Sequence, residues 1–104
     1  MRRGEVWWAD LAPPVGRRPV VLLSRNEAYQ IRELVTVAPV TTRLRGIPTE
    51  VSLDPREGLR RLGAVNLDSI VTIQKRHLTQ RITALSQVKV EAVNQAIKFA
   101  LALP

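Results

Sequence analysis

The chain has no cysteine, one histidine, one tyrosine, one phenylalanine and two tryptophans among its 104 residues. Without thiols, disulfides, thiolate zinc sites and cysteine nucleophiles are excluded, and a reducing compartment is the natural setting. The lone histidine, His77, excludes any mechanism in which two histidines share acid and base roles, and Lys75-Arg76-His77-Leu78 reads as a solvated turn. No Walker-type glycine loop, G-x-S-x-G elbow or H-E-x-x-H is present. Carboxylates are scarce, nine against sixteen basic residues, and no pair is spaced to hold catalytic metal ions. Neither metal nor cofactor is expected. No apolar run is long enough to span a bilayer, and no charged-then-apolar leader opens the chain. The expectation is a cytoplasmic protein with no membrane contact.

What the chain does have is arginine. Thirteen of the sixteen basic residues are arginines and the net charge is +7. Guanidinium groups suit bidentate phosphate contacts, so a polyanion, nucleic acid first, is the partner this balance points to. Hydrophobic residues make up 45%, enough for one core, and residues 1–104 read as a single domain.

The stretch from Gly16 to Thr42 organises the rest. Val20 to Leu23 is a continuous apolar run, read as a strand buried on both faces. Leu34 to Val40 is rich in β-branched residues and reads as a second strand. Between them, Ser24-Arg25-Asn26-Glu27 has capping-box spacing and is expected to open a short helical turn through Tyr29 and Ile31. Pro39 predicts an edge or bulged position for its strand. Antiparallel pairing of the two runs would set Arg18 beside Thr41, where a charged fork and a neutral hydroxyl can grip a phosphate. On pairing alone, a surface arginine and a strand-end threonine are the better explanation.

Elsewhere, Val6 to Leu11 reads as a strand ended by Pro13-Pro14, its tryptophans placed in a core or interface. Thr49 to Leu53 alternates, with Glu50 and Ser52 outward. A polar loop through Arg56, Arg60 and Arg61, read as solvated, leads to short strands at Ala64–Leu67 and Ile70–Ile73, with a last one at Arg81–Thr83. Ser86 caps a C-terminal helix with apolar residues at Val93, Ala96, Ile97, Ala100 and Leu101. Several short strands closed by one helix predict an α+β, mainly β chain curled into a small barrel.

Five pieces in order carry a resemblance over nearly the whole chain. They are Arg3-Gly4-Glu5-Val6-Trp7-Trp8-Ala9-Asp10-Leu11, Arg17-Arg18-Pro19-Val20-Val21-Leu22-Leu23-Ser24, Val37-Ala38-Pro39-Val40-Thr41-Thr42, Ile47-Pro48-Thr49-Glu50-Val51 and Ala64-Val65-Asn66-Leu67-Asp68. In these the chain resembles the MazF/PemK family of toxins from toxin–antitoxin pairs, which are small ribonucleases. The resemblance implies an SH3-like barrel of the CcdB/MazF type with a C-terminal helix. It also implies a homodimer, and inhibition by a smaller acidic, MazE-like antitoxin. Such proteins cut single-stranded RNA without metal: the 2′-oxygen attacks the adjacent phosphate and leaves a 2′,3′-cyclic phosphate and a 5′-hydroxyl.

By that resemblance Arg18 and Thr41 are the catalytic pair, Arg18 stabilising the pentacoordinate phosphate and assisting proton transfer, and Thr41 holding a non-bridging oxygen. Guanidinium groups hold their protons too tightly to serve as general bases, so the proton carrier stays open. Arg17, Thr42, Arg43, Arg45, Asn66 and Asp68 are candidate RNA contacts, with Asp68 suited to an amino group on an unstacked base. As a turn residue bonding local backbone, Asp68 has an equally good explanation. The chain departs from the family in two places. The loop before Arg17 lacks the G-S-E-Q-x-G form, and Ser69 stands where many relatives have glutamine. A CcdB-like poison of DNA gyrase and a non-catalytic nucleic-acid-binding barrel are the alternatives. The ending Leu101-Ala102-Leu103-Pro104, with no Trp-Gly-Ile, weighs against the former.

Overall fold

A computed structural model describes residues 1–104. The chain builds seven strands and two α-helices: β1 (Glu5–Asp10), β2 (Arg17–Leu22), α1 (Ala28–Ile31), β3 (Leu34–Thr41), β4 (Glu50–Leu53), β5 (Gly63–Asn66), β6 (Val71–Gln74), β7 (Leu78–Ala84) and α2 (Gln87–Ala100). The strands form one antiparallel sheet in the order β4-β5-β3-β2-β1-β7, with β6 also on β3. The loop after β4 reaches β7 through Gly58, which packs on Thr83. The two sheet edges are thereby drawn together, as a curled, partly open barrel requires.

Strand alternation distributes apolar side chains to both faces of the sheet. Val6, Val21, Ala38, Val40, Val51, Leu53, Val65 and Leu67 form the main core with Val93 and Ala96 of α2. Ala9, Val20, Leu22, Val35, Val37 and Leu78 form a second cluster with Tyr29 of α1. Neighbours such as Val20 and Val21 enter opposite clusters, which is why that run reads as continuously apolar. Leu22 is fully buried; a side chain of that kind contributes about 1.5–3 kcal/mol. Ser86 caps α2 as expected, its hydroxyl accepting from Lys89 N–H at 3.2 Å. No helix is long and apolar enough to cross a membrane.

Two local expectations fail. Ser24 does not cap α1, whose N-cap is Glu27, with no side-chain bond to the helix. The Ser24 hydroxyl instead accepts from Thr36 N–H at 2.8 Å, and Leu23 N–H donates to the Thr36 carbonyl at 2.9 Å. The chain thus keeps following β3 beyond Leu22, and pairing takes the oxygen that a cap needs. Pro39 does not mark an edge either. β3 has β2 on one side, and β6 then β5 on the other. Thr36 turns both backbone groups toward the β2 side, so by alternation Pro39 turns its missing donor away from β2. On that side β6 pairs Leu34–Val37 and β5 pairs Val40–Thr41, and Pro39 falls in the gap between them. A proline in a central strand loses no ladder bond there.

Candidate active site

Register brings the two principal residues together. β2 and β3 pair Val20↔Pro39, Val21↔Ala38 and Leu22↔Val37; continued two residues outward, the register sets Arg18 opposite Thr41. Alternation puts both on the sheet face of Val20, Leu22 and Val37. Both are half-buried. Arg43 N–H donates to Thr41 Oγ1 at 3.1 Å, so the hydroxyl has one lone pair engaged and its proton free for an oxygen beyond the protein.

Thr42, Arg43 and Arg45 follow on the exposed segment after β3. That segment is tied down. Arg45 N–H and Gly46 N–H both donate to Glu50 Oε1, at 2.8 and 3.2 Å. Glu50 lies opposite Asn66 on β5. Asn66 caps the turn after β5 by accepting from Asp68 N–H at 3.0 Å, and its amide donates to Ser69 Oγ at 3.1 Å. Asp68 Oδ2 accepts from the buried Thr49 hydroxyl at 2.6 Å. One carboxylate oxygen is therefore used within the fold, and Oδ1 has no protein partner. Thr49–Asp68 is not evident in the sequence, because it joins segments whose register the sequence does not specify; the Glu50 clamp is local and depends on the loop turning back at Gly46, φ +66°.

Arg17 departs from the group. It lies opposite Asp10 on the reverse face from Arg18, and its guanidinium carbon sits 4.2 Å from the centroid of a Trp8 ring. A stack of this kind contributes about 0.5–1 kcal/mol where exposed. Trp7 packs against the second cluster and donates to Glu5 Oε1 at 2.9 Å. Burial pushes the Glu5 carboxyl up, but bonds from Trp7, the Arg2 backbone and Arg81 outweigh it and hold it below its ordinary value. The two ion pairs of the chain are Arg56–Asp54 and Arg81–Glu5. Arg17, Arg18, Arg43 and Arg45 thus have no carboxylate partner, a field suited to a polyanion. His77 lies on the turn between β6 and β7.

Residues 2–101 match the PemK-like, MazF-like toxins of type II toxin–antitoxin systems. The probable endoribonuclease MazF5 of Mycobacterium tuberculosis is 41% identical over 100 residues, covering 95% of this chain and 91% of that protein. Endoribonuclease EndoA of Bacillus subtilis is 33% identical over 99% of this chain and 96% of its own length. Among solved structures, a mycobacterial endoribonuclease in complex with its cognate antitoxin superposes with a TM-score of 0.90 and 32% identity, over 100% of this chain and 97% of that one. This chain belongs to the PemK-like, MazF-like toxins of type II toxin–antitoxin systems.

Proposed function

We propose that the protein is an endoribonuclease toxin that cleaves single-stranded RNA by transesterification, with Arg18 and Thr41 at the scissile phosphate. What supports the reading is the β2–β3 register, which faces Arg18 toward Thr41 when carried two residues past the Val20–Pro39 pair, with Thr41 Oγ1 oriented by Arg43 N–H. Two curated relatives named as endoribonucleases match along nearly their whole length. The 2′-hydroxyl of the substrate gives up its proton to solvent as its oxygen attacks phosphorus. The bond to the 5′-oxygen breaks, and that oxygen takes a proton from solvent and leaves as a hydroxyl, so no net proton is gained or lost. Arg18 neutralises charge growing on the phosphoryl oxygens, and Thr41 donates its free proton to one of them. A nucleophile already present in the substrate needs positioning more than activation by a side chain. No three His, Cys, Asp or Glu side chains are grouped to bind a metal, and the reaction as written draws on none.

The working unit is a homodimer, silenced by a smaller antitoxin with an acidic extended segment. The +7 charge favours such a partner, and a mycobacterial relative is known with its cognate antitoxin. The test uses purified protein, excess EDTA and an RNA with one scissile site. Cutting should persist, should stop when the ribose upstream of that site is made 2′-deoxy, and should leave a 5′-hydroxyl that polynucleotide kinase labels directly. Cutting of the deoxy substrate, or a 5′-phosphate product, would make water the nucleophile and overturn the mechanism.

A further inference from the structure

Chain direction brings more arginines to the same end of the sheet. β3 ends at Thr41 and β5 begins at Gly63, with Thr41 opposite Ala64 in an antiparallel pair. The segment leaving β3 and the segment entering β5 therefore start side by side. The first carries Arg43 and Arg45; the second carries Arg60 and Arg61. All four are exposed, and neither ion pair of the chain uses them. Holding unpaired like charges together opposes compaction, and a polyanion laid across them removes that cost.

The second segment is also held in place along its length. After β4, Asp54 and Glu57 form a reciprocal capping box around a 3₁₀ turn, with Arg56 N–H on Asp54 Oδ1 at 2.9 Å. Gly58 has φ +89°, and a Cβ there would lie 2.8 Å from Thr83 Oγ1, so only glycine lets the chain lie on β7. Leu59 packs against the main core. At the far end, a Cβ on Gly63 would lie 3.0 Å from the Thr41 carbonyl oxygen. The segment is pinned on β7 at one end and on the Thr41 backbone at the other. Arg61 is three residues before Ala64, so their Cα atoms are at most about 10 Å apart. A purely solvated loop needs no such anchoring.

We infer that Arg60 and Arg61 form a fixed phosphate-binding arm of the RNA site, engaging phosphates that flank the one between Arg18 and Thr41. This rests on the nuclease reading above. Guanidinium forks grip phosphate oxygens without reading bases. The arm sets affinity and the path of the strand, and leaves base selection to groups such as Asp68.

The test measures binding of an RNA made 2′-deoxy at the scissile position, for wild type and for the R60Q/R61Q double variant, across a range of salt. Two lost phosphate contacts should make the slope of log Kd against log salt shallower by about 1.4, roughly 0.7 for each on a single strand. The weakening should be alike for unrelated flanking sequences. The R60K/R61K variant keeps both charges and should retain the wild-type slope, which separates charge from fold. An unchanged slope in R60Q/R61Q, with wild-type RNA cleavage intact, overturns the arm alone. A wild-type protein that neither binds nor cuts RNA overturns the nuclease reading, and the arm with it.

Discussion

The facing positions of Arg18 and Thr41, read by extending the β2–β3 register past Val20–Pro39, follow from features legible in the sequence itself: two adjacent β-rich runs, a short connection, and antiparallel pairing. The orientation of Thr41 is not legible there, since it depends on Arg43 N–H folding back onto Oγ1 at 3.1 Å. Nor is the hydrogen bond between Asp68 Oδ2 and Thr49, nineteen residues away in sequence. These details set different expectations for substitution. Arg18→Ala removes the only charge of the pair and should abolish RNA cleavage while the protein stays folded, because its own strand is held from both sides. Thr41→Ala removes one oriented donor and should slow cleavage by about 10²-fold. Single-turnover cleavage of one RNA, with melting temperatures measured alongside, checks both; full cleavage by the Arg18→Ala protein would remove it from the site.

At the scale of elements, periodicity marks every apolar strand and the C-terminal helix but misses what tertiary contacts decide. β7 runs over Leu78–Ala84, longer than the three residues the sequence marks, because Thr79, Gln80 and Arg81 form an exposed polar run with no apolar alternation. Its pairing with β1 supplies the order that its composition does not. The region around α1 shows the same competition: Ser24 is taken by β3, and Tyr29 then secures the segment by donating its hydroxyl to the Ser24 carbonyl at 3.1 Å. Burial pushes the Tyr29 phenol up to about 12, the hydrogen bond to Ser24 opposing it. The sign follows directly. An unfolded tyrosine ionises near pH 10 while the folded one keeps its proton, so its contribution is complete below about pH 10. It falls as pH rises toward 12, by about 1.4 kcal/mol per unit for one group. Tyr29 is the only tyrosine, so an ultraviolet titration reads it alone. Urea midpoints should fall more steeply between about pH 10 and 12 for wild type than for Tyr29→Phe. Parallel pH profiles would mean that the phenol is not protected by the fold.

For the whole molecule, charge would link the proposed RNA site to its control. The chain carries +7, yet its two ion pairs, Arg56–Asp54 and Arg81–Glu5, leave Arg18, Arg43, Arg45, Arg60 and Arg61 uncompensated at one end of the sheet. That concentration is only half legible in the sequence: composition supplies the sign, but bringing loops 42–48 and 58–62 together needs the β3–β5 register. An acidic antitoxin segment and an RNA strand would then meet the same field. Association with the antitoxin should be steered, its rate falling by about tenfold between roughly 0.05 and 0.3 M salt. Dissociation, governed by close contacts, should change much less. Substituting Arg43 and Arg45 together by alanine should weaken RNA binding evenly across sequences, flatten its salt slope, and lower the antitoxin association rate in the same protein. Stopped-flow association across a salt series, beside RNA binding under the same conditions, checks the link. If charge loss slows RNA capture but leaves the antitoxin rate and its salt dependence untouched, the two ligands approach different surfaces, and inhibition has to act at a distance rather than by occupying the arginine-lined end.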